Sequence, residues 1–304
     1  MTRPISRRGV LVAGAATGLA AMGLSACGDD EASDDGVSAP DPSLTYELLV
    51  AFPRDLPYVA AGVPQRLPFL IGEEGDAPLD TLAGPVEFRI SDSSGVAVGE
   101  PIEVAAHGEG LARAYLPLRV SFEEPGIYTV TATYAGQELP REVQAFPVDQ
   151  VSMPGVGSPL PAVATPTTAD ARGVAPICTR EPTCALHEHE LTASLAGSRP
   201  VALQISTPRY CRTSICGPVL DLLVEQVESD PDLARSLDVI HAEVYANPEA
   251  VDSIEQATPA PVMSGLSLQF EPILYVADAT GTIVDRLDSI WDRAELDAAL
   301  AAAV

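Results

Sequence analysis

Apolar and polar residues alternate in the first half of the chain. The clearest alternations lie at residues 86–90, 112–120 and 128–134. A period of two predicts β-strands that bury one face. Gly- and Pro-containing breaks separate these stretches, and no helical period of comparable strength occurs between them. About seven short strands in this length predict an all-β sandwich.

The pattern changes after residue 200 to strands that alternate with amphipathic helices. Short apolar runs predict strands at residues 201–206, 237–244, 273–277 and 282–287. Helical periodicity predicts helices at residues 219–229, 250–257 and 293–303. This order, β-α-β-α-β-β-α, combines parallel crossovers with one hairpin and predicts an α/β fold.

A proline-rich stretch at residues 150–176 separates the two patterns. It has no periodicity, which predicts an extended linker. The chain therefore divides into a β-sandwich domain at residues 44–149 and an α/β domain at residues 177–304.

The amino terminus resembles a bacterial lipoprotein signal peptide. Residues 1–8 carry three arginines and no acid, residues 9–26 are uncharged, and the sequence Leu-Ser-Ala comes directly before Cys27. The resemblance implies that residues 1–26 are removed and that Cys27 is lipidated. Residues 6–11 (SRRGVL) resemble a twin-arginine export motif. An uncleaved transmembrane anchor is the alternative, but the stretch is short and rich in Gly and Ala.

Residues 27–43 are acidic, contain Ser and Pro, and offer little to bury. Such a composition predicts a disordered tether. Together with lipid on Cys27, it leads us to expect a protein held on the outer face of the cell membrane.

The negative charge of the chain argues against a nucleic-acid partner. The chain has 43 acidic residues against 17 basic ones, all arginine, for a net charge of −26. A nucleic-acid binder needs a basic surface to replace the counterions of phosphate, so we expect no nucleic-acid partner.

Four cysteines remain after Cys27, in two close pairs. Cys178 and Cys184 form one pair, and Cys211 and Cys216 form the other. An even number in an exported chain indicates disulfides, and three pairings are open, with neighbours favoured by their short loops. We predict that Cys178 and Cys184 form a structural disulfide in the loop sequence before the α/β domain.

One short motif in the first half resembles immunoglobulin-like domains. Residues 125–130 (PGIYTV) resemble the entry to a late strand of that fold, where a tyrosine ties down a corner. The resemblance implies an immunoglobulin-like sandwich.

Residues 207–218 (TPRYCRTSICGP) resemble the redox loop of the thioredoxin-like superfamily. Pro272, just before a predicted strand, is similar to the proline that is cis in that family, and residues 278–281 match its hairpin turn. The resemblance implies a thioredoxin-like domain with Cys211, Cys216 and Pro272 as its site residues. It departs from the family in spacing, since four residues separate the cysteines instead of two, and either cysteine can be aligned with the attacking one.

Three functions of different classes follow. The first is thiol–disulfide exchange through Cys211 and Cys216 with extracytoplasmic protein thiols or disulfides, possible enzyme activity without a cofactor or metal. The second is a redox-silent thioredoxin-fold module that binds protein. The third is copper handling by the same cysteine pair, with His187 or His241 as a further ligand.

Overall fold

The computed structural model describes residues 39–304, which belong to one compact unit. The signal segment at residues 1–26, Cys27 and most of the tether lie outside the described residues. Among residues 39–304, no helix is long and apolar enough to cross a membrane.

The region from residue 46 to residue 146 is all β, as predicted. Its strands are β1 (Tyr46–Val50), β2 (Val59–Ala60), β3 (Gln65–Glu73), β4 (Val86–Asp92), β5 (Ile102–Val104), β6 (Leu116–Val120), β7 (Gly126–Tyr134) and β8 (Gln137–Phe146). They form a three-stranded sheet in the order β1-β3-β6 and a five-stranded sheet in the order β2-β8-β7-β4-β5.

The two sheets share one apolar core, which the alternating residues fill. Phe88 on β4 and Val130 on β7 are fully buried, and they belong to the same cluster as Phe69 on β3 and Leu118 on β6. Close to the start of β7, the Tyr128 hydroxyl donates a hydrogen bond to the Glu124 carbonyl, 2.8 Å away. That bond ties the strand to the turn before it.

The second region is α/β. It contains α1 (Leu191–Leu195), β9 (Val201–Ile205), α2 (Cys216–Ser229), α3 (Pro231–Ser236), β10 (Asp238–Ala242), α4 (Pro261–Gly265), β11 (Ile273–Ala277), β12 (Ile283–Asp288) and α5 (Arg293–Ala301). The sheet order is β10-β9-β11-β12, in which β9 and β10 are parallel and the other neighbours are antiparallel.

The helices differ in part from the sequence prediction. The stretch predicted as a helix at residues 250–257 holds only a 3₁₀ turn, Ile254–Gln256, and a second turn, Pro248–Ala250, overlaps its start. The short helix α3 was not predicted. It begins because the Asp230 side chain accepts hydrogen bonds from the Asp232 and Leu233 backbone N–H groups, with Pro231 at its first position.

The sheet of the α/β region is buried on both faces. One face packs against α2 and α5 through Ala202 and Val276 on the sheet and Leu223 and Leu296 on the helices. The other face, which includes Leu203, shares a continuous apolar cluster with the β-sandwich. The two predicted domains therefore pack against each other through a common core.

The predicted linker at residues 150–176 is extended but packed on the protein. The Gly157 and Leu160 backbone N–H groups donate to the Ile283 and Gly281 carbonyls, each over 2.8 Å. Leu160 and Val174 are buried. This segment gains backbone hydrogen bonds along the edge strand β12, which a free linker lacks.

A buried ion pair crosses between the two regions. The Arg66 guanidinium on β3 donates to both carboxylate oxygens of Glu295 on α5, to the Asp288 carbonyl over 3.0 Å and to the Ile290 carbonyl over 2.5 Å. The Tyr115 hydroxyl donates to Glu295 over 2.6 Å. Both charged side chains are almost fully buried, so each depends on the other for compensation.

His107 joins the same interface beside the start of α5. Its Nδ1 lies 3.0 Å from a carboxylate oxygen of Asp292, whose other oxygen accepts from the Glu295 N–H as the N-cap of the helix. This hydrogen bond raises the pKa of His107 against the opposing effect of burial, with the charges of Glu295 and Arg66 acting in opposite directions. Burial would raise the pKa of Asp292, but hydrogen bonds from His107 and the Gly108 backbone hold it at about 2.

Replacing Arg66 with alanine should destabilise the protein by about 3–5 kcal/mol, because the Glu295 carboxylate is left buried without its partner. Urea unfolding measures the loss. Arg89→Ala is the matched control, since Arg89 pairs with Glu87 on an exposed strand surface and its loss should cost less than about 1 kcal/mol. Similar losses for the two variants would contradict a buried interface.

The His107–Asp292 pair should make stability depend on pH. A raised histidine pKa contributes stability that is complete below the unfolded value of about 6.5 and is lost as pH rises through the folded value. The difference in unfolding free energy between the wild type and His107→Gln should therefore be larger at about pH 6 than at about pH 9. Urea unfolding at both pH values checks this, and a difference independent of pH would contradict the ion pair.

Candidate functional site

The loop between β9 and α2 contains Cys211 and ends at Cys216. Cys211 and Cys216 are joined by a disulfide, as their spacing predicted, with 5.9 Å between their Cα atoms. Cys216 is the first residue of α2 and is completely buried, whereas Cys211 is partly exposed. The two sulfurs therefore differ in what can reach them.

The local structure favours a thiolate at Cys211 over one at Cys216. The Cys216 backbone N–H donates to Cys211 Sγ over 3.3 Å, and the Thr213 hydroxyl lies 3.4 Å from the same sulfur. Partial exposure also lets water solvate the charge on Cys211, which the buried Cys216 lacks.

Pro272 lies at the same end of the sheet as the disulfide loop. Ile273, the first residue of β11, pairs with Ile205, the last residue of β9, so Pro272 is adjacent to the point where the loop leaves the sheet. Pro272 is buried, and its peptide bond with Glu271 is cis. The strand register therefore places Pro272 and the disulfide loop at the same end of the sheet.

A cavity of about 710 Å³ opens beside this end of the sheet. Its lining includes Arg212 to Ile215 from the disulfide loop, Gln269 to Glu271, and residues 50–56 of the β-sandwich. Burial raises the pKa of Glu271, and Arg212 opposes the shift. The groove is therefore built from both regions of the chain.

The second cysteine pair differs from the prediction. Cys178 and Cys184 are free and buried, with 3.7 Å between their sulfurs, and no disulfide joins them. His187 Nε2 lies 3.3 Å from Cys184 Sγ, and His241 Nδ1 lies 3.7 Å from Cys178 Sγ and 3.6 Å from Cys184 Sγ. Each thiol therefore contacts a histidine ring, and the two thiols are not joined by a disulfide.

Hydrogen bonds hold both His241 and the cysteine-bearing loop in place. His241 projects from β10, and its Nε2 lies 3.2 Å from the Ser206 carbonyl oxygen. The Thr179 backbone N–H donates to Glu243 over 2.5 Å and holds the cysteine-bearing loop on the strand. The loop and β10 therefore bring the four side chains together.

The surroundings shift the pKa values of the two thiols in opposite directions. A hydrogen bond from Cys184 lowers the pKa of Cys178 against the effect of burial, and the two histidines act in the same direction. The same hydrogen bond and burial raise the pKa of Cys184. In His241, burial acts to lower the pKa, but the hydrogen bond with Cys178 and the charge of Glu243 outweigh it and raise the pKa.

A second group of potential ligands, His107, Asp292 and Glu295, is already committed to other contacts. Both oxygens of Glu295 accept from Arg66, and Asp292 caps α5. This group holds the interface and offers no free ligand set.

His187 and His241 contact a different cysteine pair from the one that the sequence indicated. They were considered as ligands beside Cys211 and Cys216, but they face Cys178 and Cys184. The local spacing, in which a histidine follows the second cysteine of the pair by three residues, is one that metal sites use and could have indicated the cluster. His241 comes from a distant strand, so no local signal indicated it.

The sequence matches no family model and no curated protein. Among solved structures, a hypothetical protein, PH1083, from Pyrococcus horikoshii OT3 is similar at 15% identity with a TM-score of 0.22, covering 36% of this chain and 94% of that one. The PKD domain of the human VPS10 domain-containing receptor SorCS2 is similar at 16% identity with a TM-score of 0.17, covering 43% of this chain and 97% of that one.

Proposed function

We propose that the protein is a membrane-tethered, extracytoplasmic thiol–disulfide exchange protein whose C-terminal region is thioredoxin-like. The sheet order β10-β9-β11-β12 supports this, as does a cysteine loop that leads from β9 into α2. Pro272, just before β11, lies beside the end of β9.

The difference in exposure between the two cysteines carries the proposal. A partly exposed Cys211, whose sulfur accepts a hydrogen bond from a helix-terminal N–H group, is suited to attack or be attacked. The buried Cys216 is suited to close the disulfide again from inside. A disulfide with a purely structural role has no need of this asymmetry, so we assign Cys211 as the residue that meets the partner.

The exchange balances as two successive substitutions at sulfur. A thiolate of a partner protein attacks Cys211 Sγ, a partner–Cys211 bond forms, and Cys216 leaves as a thiolate that takes up a proton. A second partner thiolate then attacks the partner sulfur of this mixed disulfide and releases the Cys211 thiolate. The partner loses two electrons and gains a disulfide, while the Cys211–Cys216 pair gains the electrons. The reverse sequence reduces a partner disulfide.

The groove gives the β-sandwich, which we propose is immunoglobulin-like, a role in holding the partner. Residues 50–56 and the disulfide loop line the same cavity, so an extended peptide lying there would contact both regions. The Glu271 backbone, just before Pro272, is placed to bind such a peptide. A redox-silent binding module would use the same groove, and this remains the second candidate because the groove does not depend on electron transfer.

Anchoring is proposed from the sequence. Lipid on Cys27, followed by the tether to residue 43, would hold the described region outside the outer face of the cell membrane, where partner thiols and disulfides occur.

Cys216→Ser should trap a mixed disulfide with partner proteins at Cys211, because the free Cys211 thiolate can still attack a partner disulfide but Cys216 is no longer there to displace the partner. Cys211→Ser should trap at least about tenfold less, since its remaining thiol is buried. Cells making the full chain are quenched with acid and alkylated, and the adducts are quantified on non-reducing gels and by mass spectrometry. Equal trapping by both variants, or none by either, would leave only the binding module.

Cys27→Ala should release the protein from the membrane, because the lipidated residue is lost. Fractionation of cells followed by immunoblotting measures this. Cys211→Ser, in which the proposed anchor is unchanged, should remain in the membrane fraction. Complete retention of Cys27→Ala, with the signal segment still attached, would indicate a transmembrane anchor.

A further inference from the structure

Cys178, Cys184, His187 and His241 form a closed group of soft ligands inside the protein. The exposed fraction is 5% and 6% for the two cysteines and 0% for both histidines. Their ligand atoms all lie within 4.8 Å of one another. Burying four such groups together is unfavourable unless each is compensated by a partner.

The distances match the edges of a tetrahedron around a metal ion. With zinc–sulfur bonds of about 2.3 Å and zinc–nitrogen bonds of about 2.0–2.1 Å, tetrahedral angles place two sulfurs about 3.8 Å apart and a sulfur and a nitrogen about 3.6 Å apart. The sulfurs of Cys178 and Cys184 are 3.7 Å apart, and His241 Nδ1 lies 3.7 Å and 3.6 Å from them. His187 Nε2 lies 3.3 Å from Cys184 Sγ, and all four ligand atoms lie within 4.8 Å of one another, as binding to a single ion requires.

The hydrogen bonds of His241 are compatible with Nδ1 as the metal-binding atom. Its Nε2–H can donate to the Ser206 carbonyl, 3.2 Å away, so the lone pair of Nδ1 points toward the two sulfurs. A metal-binding histidine commonly fixes its tautomer in this way, through a backbone carbonyl on the other ring nitrogen. In His187, Nδ1 has no hydrogen-bond partner, and Nε2 faces Cys184.

The chemistry of the ligands selects the ion. Metal binding displaces the ligand protons, and two thiolates with two neutral imidazoles then balance the charge of a doubly positive ion, which suits a buried site, whereas a singly charged copper ion leaves a net negative charge. Calcium and magnesium prefer oxygen ligands. Protein side chains fill all four positions, as in structural zinc sites.

We propose that Cys178, Cys184, His187 and His241 bind one structural Zn²⁺ ion that attaches the loop at residues 178–187 to β10. This site is separate from the exchanging pair, and it does not depend on the proposed function.

The proposed ion also supports the disulfide loop from behind. The Thr179 hydroxyl accepts a hydrogen bond from the Arg209 backbone N–H over 3.3 Å, and Glu181 forms an ion pair with the Arg209 side chain. Arg180 forms an ion pair with Asp221 on α2. The zinc-bound loop therefore contacts both the start of the disulfide loop and the helix that follows it.

The experiment measures metal in the full chain purified without chelator. Plasma mass spectrometry should find about one zinc per chain in the wild type. Cys178→Ser and His241→Gln should lower the zinc content at least about tenfold. Two matched controls should keep it: His189→Gln, which removes an exposed neighbouring histidine, and the double variant Cys211→Ser/Cys216→Ser.

X-ray absorption of the wild-type protein keeps the test valid if the ligand variants fail to fold. The zinc edge should show two sulfurs at about 2.3 Å and two nitrogens at about 2.0 Å. The proposal is overturned by zinc without sulfur ligands, by zinc that persists in Cys178→Ser, or by a metal-free wild-type chain whose peptide map contains a Cys178–Cys184 disulfide.

Discussion

A guanidinium buried between two sheets needs a carboxylate beside it, and this requirement fixes the arrangement of the whole described region. Arg66 comes from the β-sandwich and Glu295 from the last helix, so the pair can form only if the two regions pack in one orientation. The shared apolar core supplies the attraction, and the ion pair selects the geometry. Because the orientation is fixed, residues 50–56 reach the disulfide loop and complete the groove.

The end of the α/β sheet concentrates the chemistry of the molecule. β9 and β10 are parallel and end side by side, so Ser206 after one strand meets His241 of the other. The disulfide loop leaves from the same end, and the cysteine-bearing loop before α1 packs behind it through Arg209. The loop of one cysteine pair lines an open groove, and the other pair is buried. In our proposals, the first pair serves thiol–disulfide exchange and the second serves metal binding.

The sequence predicted what local pattern controls and missed what distant contacts control. The alternation of apolar and polar residues predicted the strands that contain Phe88 and Val130, and the short spacing of Cys211 and Cys216 predicted their disulfide. The interface could not be predicted, because nothing local to Arg66 indicates that Glu295, more than two hundred residues away, will bury its charge. The Cys178–Cys184 pairing was predicted as a disulfide for the same reason, since His241 approaches only when β10 is in place.

The central claim is that the Cys211–Cys216 disulfide is poised for exchange rather than for stability alone. The reduction potential of this disulfide tests it most directly, measured on the full chain by equilibration with glutathione buffers and quantification of alkylated Cys211. A disulfide poised for exchange should have a potential above about −300 mV, in the range of disulfides that exchange with protein thiols. A potential well below about −300 mV would mark an inert structural bond and contradict it.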